Sequence, residues 1–166
     1  MMKQPAANRQ DHRPATCATM ERAKRFAAAL TDAERLTLME PTELAANRML
    51  DGQADERDWG TLAEALGMGI ELIKRGICSD AQSVKVLVDG YYAIGEIGKR
   101  YPTTGHYQPQ GQEADAIAEG LKRHALQLQF TTVNDLRQAF NRRQNAKARA
   151  RAGRAPAITP MGVKNA

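Results

Sequence analysis

The sequence predicts an all-α protein: a compact bundle of five to six helices carrying a basic, partly disordered C-terminal extension. Three observations lead there. Of 166 residues, 28 are Ala and 13 are Leu, while Val and Ile together number only 12; that mixture favours helices, because strands draw on β-branched and aromatic side chains. Apolar residues recur at steps of three and four along most of the chain, the period of one helix face. Charge is uneven: residues 136–166 hold eight Lys or Arg and no Asp or Glu, whereas residues 1–135 hold sixteen basic and nineteen acidic groups. At this length one helical domain over residues 15–140 is expected, flanked by a disordered arm at 1–14 and a basic C-terminal helix and tail at 141–166.

Each element has its own warrant. Residues 1–14 lack apolar periodicity. The first helix opens near Thr16 or Thr19, with Met20, Ala23, Phe26, Ala27 and Leu30 as its stripe. Thr31-Asp32-Ala33-Glu34 is a capping box, in which the hydroxyl and the carboxylate each satisfy a backbone donor. Pro41 breaks that helix and opens a third over residues 41–51, stopped by Gly52. An acidic first turn, Asp55 to Asp58, suits the positive end of a helix dipole and starts a long helix to Arg75. Its stripe is Trp59, Leu62, Ala63, Leu66, Ile70 and Ile73. Ser79-Asp80-Ala81-Gln82 is read as a second capping box, opening a helix that runs to Tyr101. Gly90, Gly95 and Gly98 inside it signal the close approach of a neighbour or a bend. Residues 102–112 form the one substantial loop. A helix follows over 113–130, with Ile117, Leu121, His124 and Leu128 aligned. Thr132 to Asp135 starts the last one, docked by Val133, Leu136 and Phe140 and leaving the body beyond Phe140.

The run Asp58-Trp59-Gly60-Thr61-Leu62-Ala63-Glu64-Ala65-Leu66, flanked by Gly52 and by Gly76-Ile77, resembles a group of small helical proteins. These are carried on plasmids, prophages and integrated elements of proteobacteria and share a D-W-x-x-L-A-x-A-L helix. The later stretch Arg100 to Gly105, followed by Gly111 and the Leu121 to Leu128 helix, is similar to the group's R-T-G-like loop and the helix after it. The resemblance covers about residues 36–140. It implies a mobile-element setting and, by analogy with some members, a regulatory role; it carries over no catalytic residue.

The chemistry excluded is as informative. The segment Gly90 to Arg100 lacks the strand, the first glycine and the Ser or Thr of a phosphate loop. His12, His106 and His124 share no metal-ligand spacing with one another or with Cys17 and Cys78, so no metal or cofactor is expected. No nucleophile–base pair assembles, and a non-enzymatic protein is expected. No run approaches the ~20 apolar residues that span a bilayer. With no apolar core near the N-terminus for secretion, the expected location is the cytoplasm and the cysteines are reduced thiols.

Two partner readings remain. The basic C-terminal segment, through Arg137, Arg142, Arg143, Lys147, Arg149, Arg151 and Arg154, is expected to contact the phosphates of DNA or RNA, each contact releasing a counterion. The alternative is a protein-binding adaptor or inhibitor, for example of a host defence complex. It would use the helical body through Tyr92, His106 and Tyr107, the aromatics and histidine not committed to apolar stripes.

Overall fold

The computed structural model describes residues 17–153. Six helices organise them: α1 (Cys17–Ala27), α2 (Asp32–Leu50), α3 (Glu56–Ile73), α4 (Ala81–Thr104), α5 (Glu113–Gln129) and α6 (Val133–Arg151). Among the described residues there is no strand, only an isolated bridge between Ala29 and Thr132. The arm expected at 1–14 and the tail from Arg154 onward lie outside the described residues. No described helix is long and apolar enough to cross a membrane.

Local chemistry sets most helix starts. At α2, Glu34 N–H donates to the Thr31 hydroxyl while Glu34 accepts from Thr31 N–H, the reciprocal box the sequence predicts. Thr132 and Asp135 repeat it at α6. Asp55 and Asp58 form a third box at α3. The start of α4 differs from expectation by one residue. The cap is Asp80, not Ser79, because Asp80 Oδ1 accepts from Ser83 N–H at 2.9 Å and its other oxygen takes the Ser83 hydroxyl.

Pro41 does not break its helix, and α2 is continuous from Asp32 to Leu50. The proline removes only the bond to the Thr37 carbonyl. Both residues are exposed, so water can donate to that carbonyl in place of the missing N–H, while Met39, Thr42, Ala45 and Met49 bury one face on either side of the proline. Burial over three turns outweighs a local cost of about 3 kcal/mol.

The central element is α3, which packs against α2, α4, α5 and α6. Leu62, Leu66 and Leu72 along it are fully buried. One core cluster joins Leu62 and Leu66 to Leu87, Ile94, Ile97 and Ile117; a second joins Met68 and Leu72 to Leu30, Met39, Leu128 and Ala139. The glycines of α4 divide by role. A Cβ on Gly90 would stand 2.8 Å from the Ala116 carbonyl oxygen, so α4 and α5 cross there at backbone contact, whereas Gly95 has nothing within 4 Å. At Gly98 the Trp59 ring lies against the backbone, its Nε1 donating to the Ile94 carbonyl at 2.9 Å.

Gln127, fully buried, ties the second cluster together. Its Nε2 donates to the Gly69 and Ile77 carbonyls, both at 3.2 Å, which leaves Oε1 facing His124 Nδ1 at 3.4 Å. His124 is thus a satisfied core residue on the predicted stripe.

Candidate nucleic-acid interface

The helix expected to leave the body beyond Phe140 stays on it. Ala139 is fully buried, Phe140 is 47% exposed, and α6 continues as one helix to Arg151, antiparallel to α3. Two charged attachments hold it. At its start Asp135 accepts from Arg75 Nε at 3.1 Å and Nη2 at 2.6 Å. Two turns later Arg143 Nε and Nη2 donate to the two Glu64 oxygens at 3.2 and 3.1 Å, and Lys147 Nζ closes on the same carboxylate. The domain boundary drawn after residue 140 therefore falls inside a continuous, anchored helix.

Arg143 is held in a cradle. Its side chain is only 14% exposed, and a Cβ on Gly67 would stand 1.9 Å from its Nη1, so the guanidinium lies where that side chain would be. Burial opposes the charge on Arg143, but the Glu64 carboxylate outweighs it and raises the guanidinium pKa, with the Tyr91 phenol adding to the effect. Burial likewise pushes the Glu64 carboxyl up, and the bonds from Arg143 and Lys147 overcome it, leaving the group below its ordinary value. Arg143 is a structural pin rather than a free phosphate contact, a correction to the sequence reading. Lys147 is half committed: it shares the carboxylate but remains 46% exposed.

The remaining cations divide cleanly. Arg137 lies over the Phe26 ring, 5.4 Å from its centre, and so joins α6 to α1. Arg142 and Arg149 are exposed, and among the described residues no carboxylate pairs with either. Seven residues apart, they share one flank of α6 about 10 Å apart along its axis. Arg151 closes α6, and Arg154 lies outside the described residues. The sequence reading omitted α1, whose Arg22, Lys24 and Arg25 place a second basic segment beside the start of α6, with Arg25 already paired to Glu34. Residues 28–132 between these two helices hold ten basic and sixteen acidic groups. The molecule is thus an acidic body with basic helices at its edge. The cluster of cations at 22–25 was a readable signal; the pairing of Glu64 with residues some eighty positions on was not.

The three residues expected to meet a protein partner are not brought together. Tyr92 is 66% exposed and His106 is exposed, but they lie more than three helical turns apart along α4 and its end. Tyr107 corrects the expectation of a loop anchor. It is buried, sandwiched between Trp59 at 5.8 Å and Tyr101 at 4.1 Å, and burial raises its phenol pKa. Tyr101 and Tyr91, placed by sequence on apolar stripes, are each more than a third exposed. Among the described residues no group of three or more His, Cys, Asp or Glu could hold a metal. In comparison with known proteins, no family model, no curated protein and no solved structure matches this chain.

Proposed function

We propose that the protein is a non-enzymatic nucleic-acid-binding accessory or regulatory protein, contacting phosphates through the outer flank of α6. The observation that carries this reading is the unpaired, outward Arg142 and Arg149 on a helix fixed to an acidic body, with the cations of α1 beside it. Phosphates are the anions for which spaced, solvated arginines on a rigid helix are suited, and such contacts position a duplex or single strand without reading its bases. A mobile-element setting follows from the sequence resemblance alone.

The sharp test spares the anchor. Ending the chain at Phe140 would remove Arg143 and Lys147 and so disturb the α3–α6 packing; Arg142→Ala/Arg149→Ala leaves both in place. Binding of the wild type and this double variant to labelled DNA and RNA, duplex and single-stranded, is measured across a salt series. For duplex DNA the slope of log affinity against log salt should become shallower by about 0.9 for each lost phosphate contact. Absence of binding by the wild type, or an unchanged slope in the variant, would sink the proposal.

The second reading, a protein-binding adaptor or inhibitor using the helical body, draws support from Tyr92, a large aromatic left 66% exposed on α4. It predicts a partner whose affinity falls with Tyr92→Ala and is indifferent to the Arg142 and Arg149 substitutions.

A further inference from the structure

α2 and α5 lie side by side and antiparallel with an apolar trough between them. Its floor and banks include Met39, Ala46 and Leu50 from α2 and Ala118, Leu121 and Ala125 from α5. A smaller hollow continues it toward Pro109 and Ala114 and shares Ala46, Leu50 and Ala118 with it. The trough is unusual in what it leaves in water. Leu50 is 60% exposed beside alanines that offer no bulk to cover it. Small side chains on both banks are what let helices approach to about 8 Å.

We propose that this face is the interface of a symmetric dimer, its occupant a second copy of the chain. The argument is that the face is complementary to itself. Since α2 and α5 run antiparallel, with Ala46 level with Ala118 and Met39 toward Ala125, Glu43 on one bank stands level with Lys122 on the other. A twofold axis along the trough lays α2 of one copy on α5 of the next with levels preserved. Each Glu43 then meets the second copy's Lys122, and each exposed Leu50 falls on the small side chains of Ala114 and Ala118 opposite. One operation answers both features twice, as an isologous interface requires. The present partner of Lys122 is Glu119, one turn back on the same exposed helix face at 2.6 Å. Such a surface pair is weak and exchanges readily. No α6 residue lines either hollow, and α6 packs on α3 and α1, so a dimer would present two copies of the basic flank. The inference does not depend on what α6 binds.

Sedimentation of the full chain across a range of micromolar concentrations tests it. The wild type should be a concentration-dependent dimer. Ala118→Glu, at an exposed helical position that tolerates the residue in the monomer, should weaken the dimer about a hundredfold or more by burying an unpaired charge. Lys122→Glu should also weaken it, and Glu43→Lys combined with Lys122→Glu should restore it, with urea unfolding of the same variants separating this rescue from a change in monomer stability. A wild type that stays monomeric overturns the proposal and leaves the trough to some other protein's helix. A dimer indifferent to Ala118→Glu and to Lys122→Glu overturns it equally, since its interface lies elsewhere.

Discussion

Protonating His124 should unfasten the core in a defined pH window. The ring is 5% exposed, and burial holds its pKa down to about 4 from an ordinary 6.5, against a smaller opposing pull from Gln127. In the unfolded chain the imidazole takes its proton near the ordinary value; in the folded protein it resists until about 4. Between those values the unfolded state binds more protons, so stability falls as pH falls, and above about pH 6.5 this group contributes nothing to the pH dependence. At about 1.4 kcal/mol per unit, the full depression amounts to about 3 kcal/mol lost by the time pH reaches about 4. That is a large part of the 5–15 kcal/mol typical of a domain. Urea unfolding of the wild type and of His124→Gln from about pH 7.5 down to about pH 4 isolates it. Carboxylates held low by their partners, such as Glu113 beside Arg100 and Asp135 bonded to Thr132 and Arg75, lose their contribution at lower pH and do so in both proteins. The stability difference between the two should therefore be flat at the top of the range and move by about 3 kcal/mol against the wild type below it. A difference that stays flat throughout, or a His124 imidazole resonance titrating near the ordinary value in the folded protein, would refute the reasoning.

Two further substitutions bear on the fold and the site. Gly90→Ala and Gly95→Ala should move thermal stability in opposite directions. The first drives a methyl into the Ala116 carbonyl at 2.8 Å and should cost about 1–3 kcal/mol as α4 and α5 are forced apart. The second meets nothing within 4 Å and should gain about 1 kcal/mol of helix propensity. Glu64→Gln removes the charge that engages Lys147 while keeping an acceptor for Arg143. If α6 binds nucleic acid, affinity should rise and the salt slope steepen by about 0.9. Adding Lys147→Ala should return the slope to the wild-type value, as read by the same titrations.

What the sequence displayed was what a few neighbouring residues decide. The boxes at Thr31 and Thr132 appear as read because cap and acceptor are three residues apart. The stripe of α3 holds because Leu62, Leu66 and Leu72 answer to one helical period. Errors arise where a distant residue intervenes. Pro41 looks like a break until the burial of Met39 and Met49 on either side is known. Tyr107 looks like a loop aromatic until Trp59 and Tyr101 close on it. Arg143 looks like one more tail cation, since nothing local marks Glu64 as its partner or Gly67 as its bed. Of the candidate site, position along the chain was legible; which cations are spent inside the molecule was not.

That distinction shapes how α6 can work. Its face toward the body offers little apolar surface beyond Val133, Leu136 and Ala139, so charge holds much of its length past the first two turns. Charge would also hold a polyanion on its other flank, and salt weakens both kinds of contact, though unequally. Arg143 and Glu64 are 14% and 29% exposed, and a pair drawn out of water is screened far less than one in it. Arg142 and Arg149 are exposed. Rising salt should thus strip a bound strand from the outer flank well before it loosens α6 from α3. Binding would then be reversible on a scaffold that does not itself move, and circular dichroism at the salt concentration that abolishes binding should still report the intact α6.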